Sequence, residues 1–204
     1  MLEFYPHFPI NENINQTDFY YFNSGFSNVE IRNVLRLSKL YPTQEAFTAG
    51  ELINEKKDEN PIRKSQIKWL PPELDKTEWI YDKLISMALR ANFDLWKFDL
   101  HSIKDSIQYT EYTGEDTGGY DWHIDLGAYP SSHRKISISI QLSNSDDYEG
   151  GDLQFMTSAN APMVAPREKG TVIMFPSYLL HRVTPVTKGV RKSLVLWVGG
   201  TTFR

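Results

Sequence analysis

The clearest pattern in the chain is an alternation in which Ile136, Ile138, Ile140 and Leu142 are separated by Ser137, Ser139 and Gln141. A period of two is the mark of a strand whose two faces meet different surroundings. Short runs rich in β-branched and aromatic residues recur through the second half of the chain. They cover Leu95 to Leu100, Ser106 to Tyr112, Trp122 to Leu126, Lys135 to Leu142, Leu153 to Phe155, Thr171 to Phe175, Leu180 to Val186 and Ser193 to Val198. Gly114, Gly118-Gly119, Asn144 to Asp147, Gly150-Gly151, Gly170 and Lys188-Gly189 supply turn signals between them. Many short strands with turns between them predict a β-sandwich or jelly roll.

Ahead of this region the period becomes helical. Ser27-Asn28-Val29-Glu30 has the form of a capping box, and Ile31, Val34, Leu35 and Leu37 follow on one face, with Pro42 as the stop. Thr77 to Asn92 predicts a second helix, with Trp79, Ile80, Leu84, Ile85, Met87, Ala88 and Leu89 on a broad apolar face. Phe19 to Phe22 and Ser65 to Leu70 read as extended, the latter ended by Pro71-Pro72. Residues 43–61 are polar, and Glu51 to Asn60 reads as an exposed loop with room for a short helix. The expected architecture is mainly β with flanking helices. It forms a single domain over residues 1–204, in which 1–94 give helical and extended support and 95–204 form a double-stranded β-helix (jelly roll) core.

Composition narrows the functional classes. With 40 % hydrophobic residues in 204, a sizeable core can form. A net charge of −4 gives no basic stripe, so no nucleic-acid partner is expected. The chain has no cysteine, which excludes disulfides and thiolate metal sites and leaves histidine and carboxylate as ligands. It also fits a reducing compartment. No apolar run approaches a membrane span, and Met1 to Pro6 lacks the start of a signal peptide. A soluble cytoplasmic protein without a membrane partner is expected.

The chemistry concentrates in Trp122-His123-Ile124-Asp125, with His181 on a later strand and Arg191 at the head of the next apolar run. On an extended strand, His123 and Asp125 point the same way. Two histidines and a carboxylate on one side of a metal suit non-haem Fe(II) oxygen chemistry. Arg191 offers a planar fork for the far carboxylate of a dicarboxylate co-substrate. Ser193 shares its face, and Tyr112 and Gln141 are further candidates for contacting the co-substrate. Tyr109, on the strand of Tyr112, is a weaker one. Lys192 points the other way, and Lys188, read as a turn residue, is the runner-up cation. Trp122 is read as packing or as shaping the substrate mouth, and Arg182 as facing away from the metal. His133 lies in a loop with no carboxylate spaced to match and is expected to be exposed, while His7 and His101 show no partner pattern.

Several stretches carry a family resemblance. They are Gln108 to Tyr112, Trp122 to Asp125, Arg134 to Ser143, Tyr148 to Leu153, Phe175 to Ser177, His181 to Val186, and Gly189 to Val198. In that order they resemble the 2-oxoglutarate- and Fe(II)-dependent dioxygenases of the prolyl 4-hydroxylase class, and more narrowly the bacterial and phage PKHD-type hydroxylases. The resemblance implies a jelly roll with iron at its open end, His123, Asp125 and His181 as ligands, and Arg191 as the 2-oxoglutarate anchor. It also implies O2 as co-substrate, ascorbate as auxiliary reductant, and hydroxylation of a peptidyl-proline with succinate and CO2 as co-products. Collagen-type relatives often carry lysine where this chain has Arg191, and either cation can hold a carboxylate. Other readings are hydroxylation of a free amino acid or other small metabolite, a jelly-roll binding module without turnover, and a zinc hydrolase with Glu111 or Asp121 as base.

Overall fold

The computed structural model describes residues 18–46, 62–157 and 161–202. The expected Glu51 to Asn60 loop and His7 lie outside them.

Both helices form where the sequence places them. In α1 (Asn28–Ser38), the Ser27 side chain accepts from Glu30 N–H and the Glu30 carboxylate accepts from Ser27 N–H, which completes the capping box. Ile31, Val34 and Leu37 form its buried face. In α2 (Glu78–Ala91), Ile80, Tyr81, Leu84, Ala88 and Ala91 are buried.

The strands are β1 (Tyr20–Phe22), β2 (Gln44–Glu45), β3 (Arg63–Lys64), β4 (Gln66–Leu70), β5 (Leu100–Ser102), β6 (Ile107–Thr113) and β7 (Gly119–His123). They continue with β8 (Arg134–Gln141), β9 (Tyr148–Gly150), β10 (Leu153–Phe155), β11 (Met163–Val164), β12 (Val172–Pro176), β13 (His181–Val183) and β14 (Val186–Gly200). They pair antiparallel in two sheets. The larger runs β1-β12-β8-β14-β6-β4-β2, with β5 and β9 also on β14, and the smaller runs β11-β10-β13-β7-β3. This is the expected jelly roll.

Three strand expectations and one turn expectation need correction. Leu95 to Leu100 does not form a strand. The chain leaves α2 through a π-helical turn over Asn92–Trp96, and Lys97 adopts a left-handed conformation. The Asn92 side chain then bonds both the N–H and the C=O of Phe98, holding the turn closed until β5 begins. Trp122 to Leu126 is displaced, because β7 ends at His123. Leu180 to Val186 is divided, with β13 ending at Val183 and Val186 already in β14. Lys188 and Gly189 are not a turn but lie inside the 15-residue β14. Gly189 keeps the strand continuous at φ +73°, where a Cβ would stand 2.0 Å from the Asp147 carbonyl oxygen.

The large sheet is buried on both faces. Ile136, Ile138, Ile140, Leu194, Leu196, Ile107 and Tyr109 pack with the helices in one core cluster. The alternate residues Ser137, Ser139, Gln141, Arg191, Ser193, Gln108 and Thr110 are buried as well. These turn to the space between the sheets, where Tyr112, Phe155, Phe175 and Val183 form the second cluster. The polar register of β8 therefore faces an interior rather than water.

Leu84, fully buried at the centre of the helix layer, should matter as a core leucine does. Leu84→Ala is expected to lower the unfolding free energy by about 2–5 kcal/mol, read from urea denaturation.

Candidate metal centre

His123 and His181 lie opposite each other across β7 and β13. Two residues of β13 span from His181 to Val183 while β7 runs from His123 back to Tyr120, a shift of register that marks a β-bulge. The extra residue turns Tyr120 and His123 to the same side. Their rings stack with centroids 3.4 Å apart, and the His123 and His181 rings are 4.1 Å apart. Phe175 packs edge-on against His181 at 4.6 Å.

Asp125 lies beyond the end of β7. The alternation rule therefore does not place it, and a turn does: the N–H groups of Asp125 and Leu126 both donate to the Ser177 carbonyl at 2.9 Å. Arg134 Nη1 reaches the Asp125 carbonyl oxygen at 3.4 Å, and the same guanidinium grips Asp105 through Nε and Nη2 at 3.1 and 2.9 Å. The carboxylate then meets both imidazoles, with His123 Nε2 3.8 Å from Oδ1 and His181 Nε2 3.6 Å from Oδ2. One ligand atom from each of the three residues falls within 4.8 Å of the others.

The donor set fits a divalent metal. His123 Nδ1 is 2.7 Å from the Asp121 carbonyl oxygen, and His181 Nδ1 is 2.8 Å from that of Leu179. A carbonyl only accepts, so each Nδ1 carries a proton, and Nε2 is the nitrogen left to face a metal. Burial, reinforced by His181, pulls His123 down to about 4, so its imidazole is neutral near pH 7. Burial opposes ionisation of Asp125, but the two histidines and the Ser137 hydroxyl outweigh it and hold the carboxyl below its usual value. Two neutral imidazoles and one carboxylate are a low-charge set that leaves a divalent ion net positive and open on one side.

A cation stands in the same interior. Arg191 is 1 % exposed. Its Nη2 donates to Gln141 Oε1 at 3.0 Å, its Nη1 to Ser193 Oγ at 3.3 Å, and its Nε has no partner. The Gln141 amide is itself oriented, because Nε2 donates to the Pro166 carbonyl at 3.2 Å. Tyr112 lies opposite Arg191 in the register, with its ring 5.5 Å from the guanidinium carbon. The structure thus gathers Arg191, Ser193, Gln141 and Tyr112 into one patch. Among the described residues no carboxylate pairs with this guanidinium.

Other candidates fall elsewhere. Lys188 is exposed and pairs with Glu149 at 3.0 Å, so the runner-up cation is not in the interior. Tyr109 packs in the helix-facing cluster and donates to Glu111, so it does not share the patch of Tyr112. Lys192 faces away and lies 3.8 Å from Glu111. Trp122 carries the Arg182 guanidinium on its ring at 4.6 Å, and Arg182 also bonds Gln154, as an outer face of the small sheet requires. His133 is not exposed. It is buried, with Nδ1 2.8 Å from the Pro130 carbonyl and Nε2 3.5 Å from Asp105. That carboxylate lies too far back in the sequence for a spacing rule to pair them. His101 is exposed on β5.

Sequence reasoning missed four contributors. Ser137 donates to Asp125 Oδ2 at 2.7 Å, and Ser177 adjoins Ser137 at 3.0 Å. Tyr120 stacks on His123, its phenol pushed up to about 12 by burial and so kept protonated. Gly151 makes room for the Arg191 stem, since a Cβ there would lie 3.0 Å from Arg191 Cδ. Ser137 left a signal as a member of the polar register of β8, Gly151 was read only as part of a turn, and Ser177 stood out only within a stretch that carries the family resemblance.

Comparison with known proteins agrees with this geometry. The 2OG-Fe(II) oxygenase superfamily model matches residues 107–199. A PKHD-type hydroxylase of Prochlorococcus marinus (strain NATL2A) is 30 % identical over 170 residues, covering 83 % of this chain and 71 % of that protein. The chain belongs to the PKHD-type hydroxylases of the 2OG-Fe(II) oxygenase superfamily. Another PKHD-type hydroxylase, from Synechococcus sp. (strain CC9902), is 33 % identical over 129 residues, and the match spans 54 % of its length, about half. Among solved structures, a Trichoplax adhaerens prolyl hydroxylase in complex with a hypoxia inducible factor peptide fragment has a TM-score of 0.74 at 19 % identity, covering 93 % of this chain and 86 % of that one. A Pseudomonas putida prolyl-4-hydroxylase has a TM-score of 0.67 at 16 % identity, covering 90 % and 93 %. At these identities the structures speak for the shared fold.

In this PKHD-type chain Gly151 packs beside the Arg191 stem, holding φ +65° with Val186 Cγ2 2.9 Å from its would-be Cβ. Gly151→Ala is expected to lower stability by about 1–2 kcal/mol from the left-handed backbone alone. An unchanged urea midpoint would mean that the left-handed backbone at this position carries no such cost.

Proposed function

We propose that this chain is an Fe(II)- and 2-oxoglutarate-dependent dioxygenase that hydroxylates an unactivated C–H bond, with a peptidyl-proline as the leading substrate. The observation that carries the reading is Arg191, a buried guanidinium with no carboxylate partner among the described residues, in the same inter-sheet space as a His–His–Asp cluster. A buried charge left unpaired is costly by several kcal/mol, so the site is built to receive an anion. A diacid that also reaches the metal meets both demands at once. Neither carboxylate considered as a hydrolase base is suited to that role. Glu111 is engaged by Tyr109 and Lys192, and Asp121 is exposed and caps Trp122 N–H.

His123, Asp125 and His181 would hold Fe(II), which with 2-oxoglutarate and O2 supplies the oxidising power for hydroxylation, with succinate and CO2 as co-products. Arg191 binds the far carboxylate of 2-oxoglutarate through its fork, and Ser193 and Gln141 keep that fork in plane. Tyr112 closes the other side of the guanidinium with its ring. Phe155, Phe175 and Val183 keep water from this interior, which strengthens the charge pairing within it. Tyr120 buttresses the His123 ring. Ascorbate is the auxiliary reductant in this scheme, and the cytoplasm its setting. The prolyl substrate rests on the names of the relatives, so the deciding assay is open. Iron-loaded protein, 2-oxoglutarate and a peptide library are combined, and products are searched for a mass gain of one oxygen. A gain on free amino acids or small metabolites instead would move the substrate class and keep the chemistry.

His123→Ala and Asp125→Ala should each abolish substrate-dependent formation of succinate. Survival of that conversion in either purified variant would remove the ligand assignment. Arg191→Ala should raise the 2-oxoglutarate requirement about a hundredfold, the order expected when a buried charge pair loses one partner. An unchanged requirement would place the diacid elsewhere.

A further inference from the structure

Each imidazole lies nearest a different oxygen of Asp125, His123 nearest Oδ1 and His181 nearest Oδ2. By position alone the carboxylate could therefore offer a metal either oxygen or both. Two oxygens would occupy one more coordination position and leave less room for a chelating co-substrate. The Ser137 hydroxyl breaks this symmetry, donating to Oδ2 at 2.7 Å. A hydroxyl has one proton, so Ser137 must accept, not donate, in its 3.0 Å contact with Ser177 Oγ. The direction of the chain is thus fixed as Ser177 to Ser137 to Asp125 Oδ2. Both serines are fully buried, so water does not compete.

The backbone around the chain is equally constrained. The Ser177 carbonyl accepts from Asp125 and Leu126, and the Ser177 N–H donates to the Lys135 carbonyl at 2.9 Å. Ser137 sits across from Phe175 on one side and Trp197 on the other, in the middle of the large sheet. One residue, Ser177, therefore holds both the main chain of Asp125 and the hydroxyl that reaches its carboxylate.

We propose that Ser137, polarised by Ser177, selects the coordinating oxygen of Asp125. By engaging Oδ2 it restricts the residue to one metal bond through Oδ1 and keeps open the position that the 2-oxoglutarate chelate needs. Ser137 and Ser177 are positioning residues acting through Asp125. The inference rests on the oxygenase reading above and concerns how that site limits its own carboxylate.

The test uses Co(II) as an anaerobic spectroscopic stand-in for iron, in the full chain, with 2-oxoglutarate titrated into the Co(II)-loaded protein. In Ser137→Ala, Co(II) affinity should stay within a few-fold of the unsubstituted protein. The ligand-field spectrum should change, and 2-oxoglutarate should bind about tenfold more weakly, the order by which loss of an outer partner lowers the activity of metal sites. Ser177→Ala keeps the Ser137 hydroxyl and should give a smaller change in the same direction, which preserves the test if Ser137→Ala folds poorly. Ser137→Thr restores a hydroxyl and should restore both readouts. An unaltered spectrum and unaltered 2-oxoglutarate affinity in Ser137→Ala would overturn the proposal. So would loss of Co(II) itself from a folded Ser137→Ala, because Ser137 would then hold the ligand in place rather than choose its oxygen. Failure of the unsubstituted protein to bind Co(II) would sink the oxygenase reading and this inference together, an outcome separate from the other two.

Discussion

Polar groups cannot be enclosed between two sheets unless each finds a partner, and this chain encloses a whole register of them. Ser137, Ser139, Gln141, Ser193, Arg191 and Thr110 are all buried on the inner side of the large sheet. Their partners are largely one another and nearby carbonyls. Gln141 spans from Arg191 to Pro166, Ser193 supports the same guanidinium, and Ser137 serves Asp125. Among the described residues Arg191 Nε is left without a partner, and ligand atoms of His123, Asp125 and His181 converge within 4.8 Å of one another. A buried guanidinium and a His–His–Asp cluster are the two features that the proposed co-substrate and metal would occupy.

The same strands serve the helices and the site on opposite faces. On β8 and β14 one parity packs α1 and α2, and the other carries the buried polar residues. The helices cover one face of the large sheet, and the pairing of its strands sets Gln141 opposite Ser193 and Tyr112 opposite Arg191. The metal cluster is assembled differently, from the small sheet and a turn. Two imidazoles come from paired strands, while the carboxylate is brought in by Ser177 from the end of β12.

Much of this was legible in the sequence. The Ile–Ser alternation announced β8, and the capping box announced α1. Arg191 and Ser193 were placed on one face by parity alone. His123, Asp125 and His181 were singled out by residue type and order, yet the local reason was misread. The strand stops at His123, a bulge turns that side chain, and a backbone turn delivers Asp125. Bulges and turn bonds depend on partners far along the chain, which a periodicity does not see. Leu95 to Leu100 failed for a related reason, because its apolar residues pack as the end of a helix once Asn92 closes the turn on Phe98. His133 was judged by its neighbours in sequence, while its carboxylate, Asp105, comes from another segment.

The two-faced β14 has a consequence for how such a chain can change over time. A side chain on the helix-facing parity can be exchanged for another of similar volume without the catalytic interior registering it. Inserting or deleting one residue within Val190 to Val198 is another matter, since a slip of one position exchanges the two faces. An extra residue between Arg191 and Leu194 would either send Leu194 and Leu196 into the polar interior or drive the Arg191 guanidinium under the helices. Length variation in descendants of this chain should therefore gather in the connections, and the strand interiors should diverge by replacement alone.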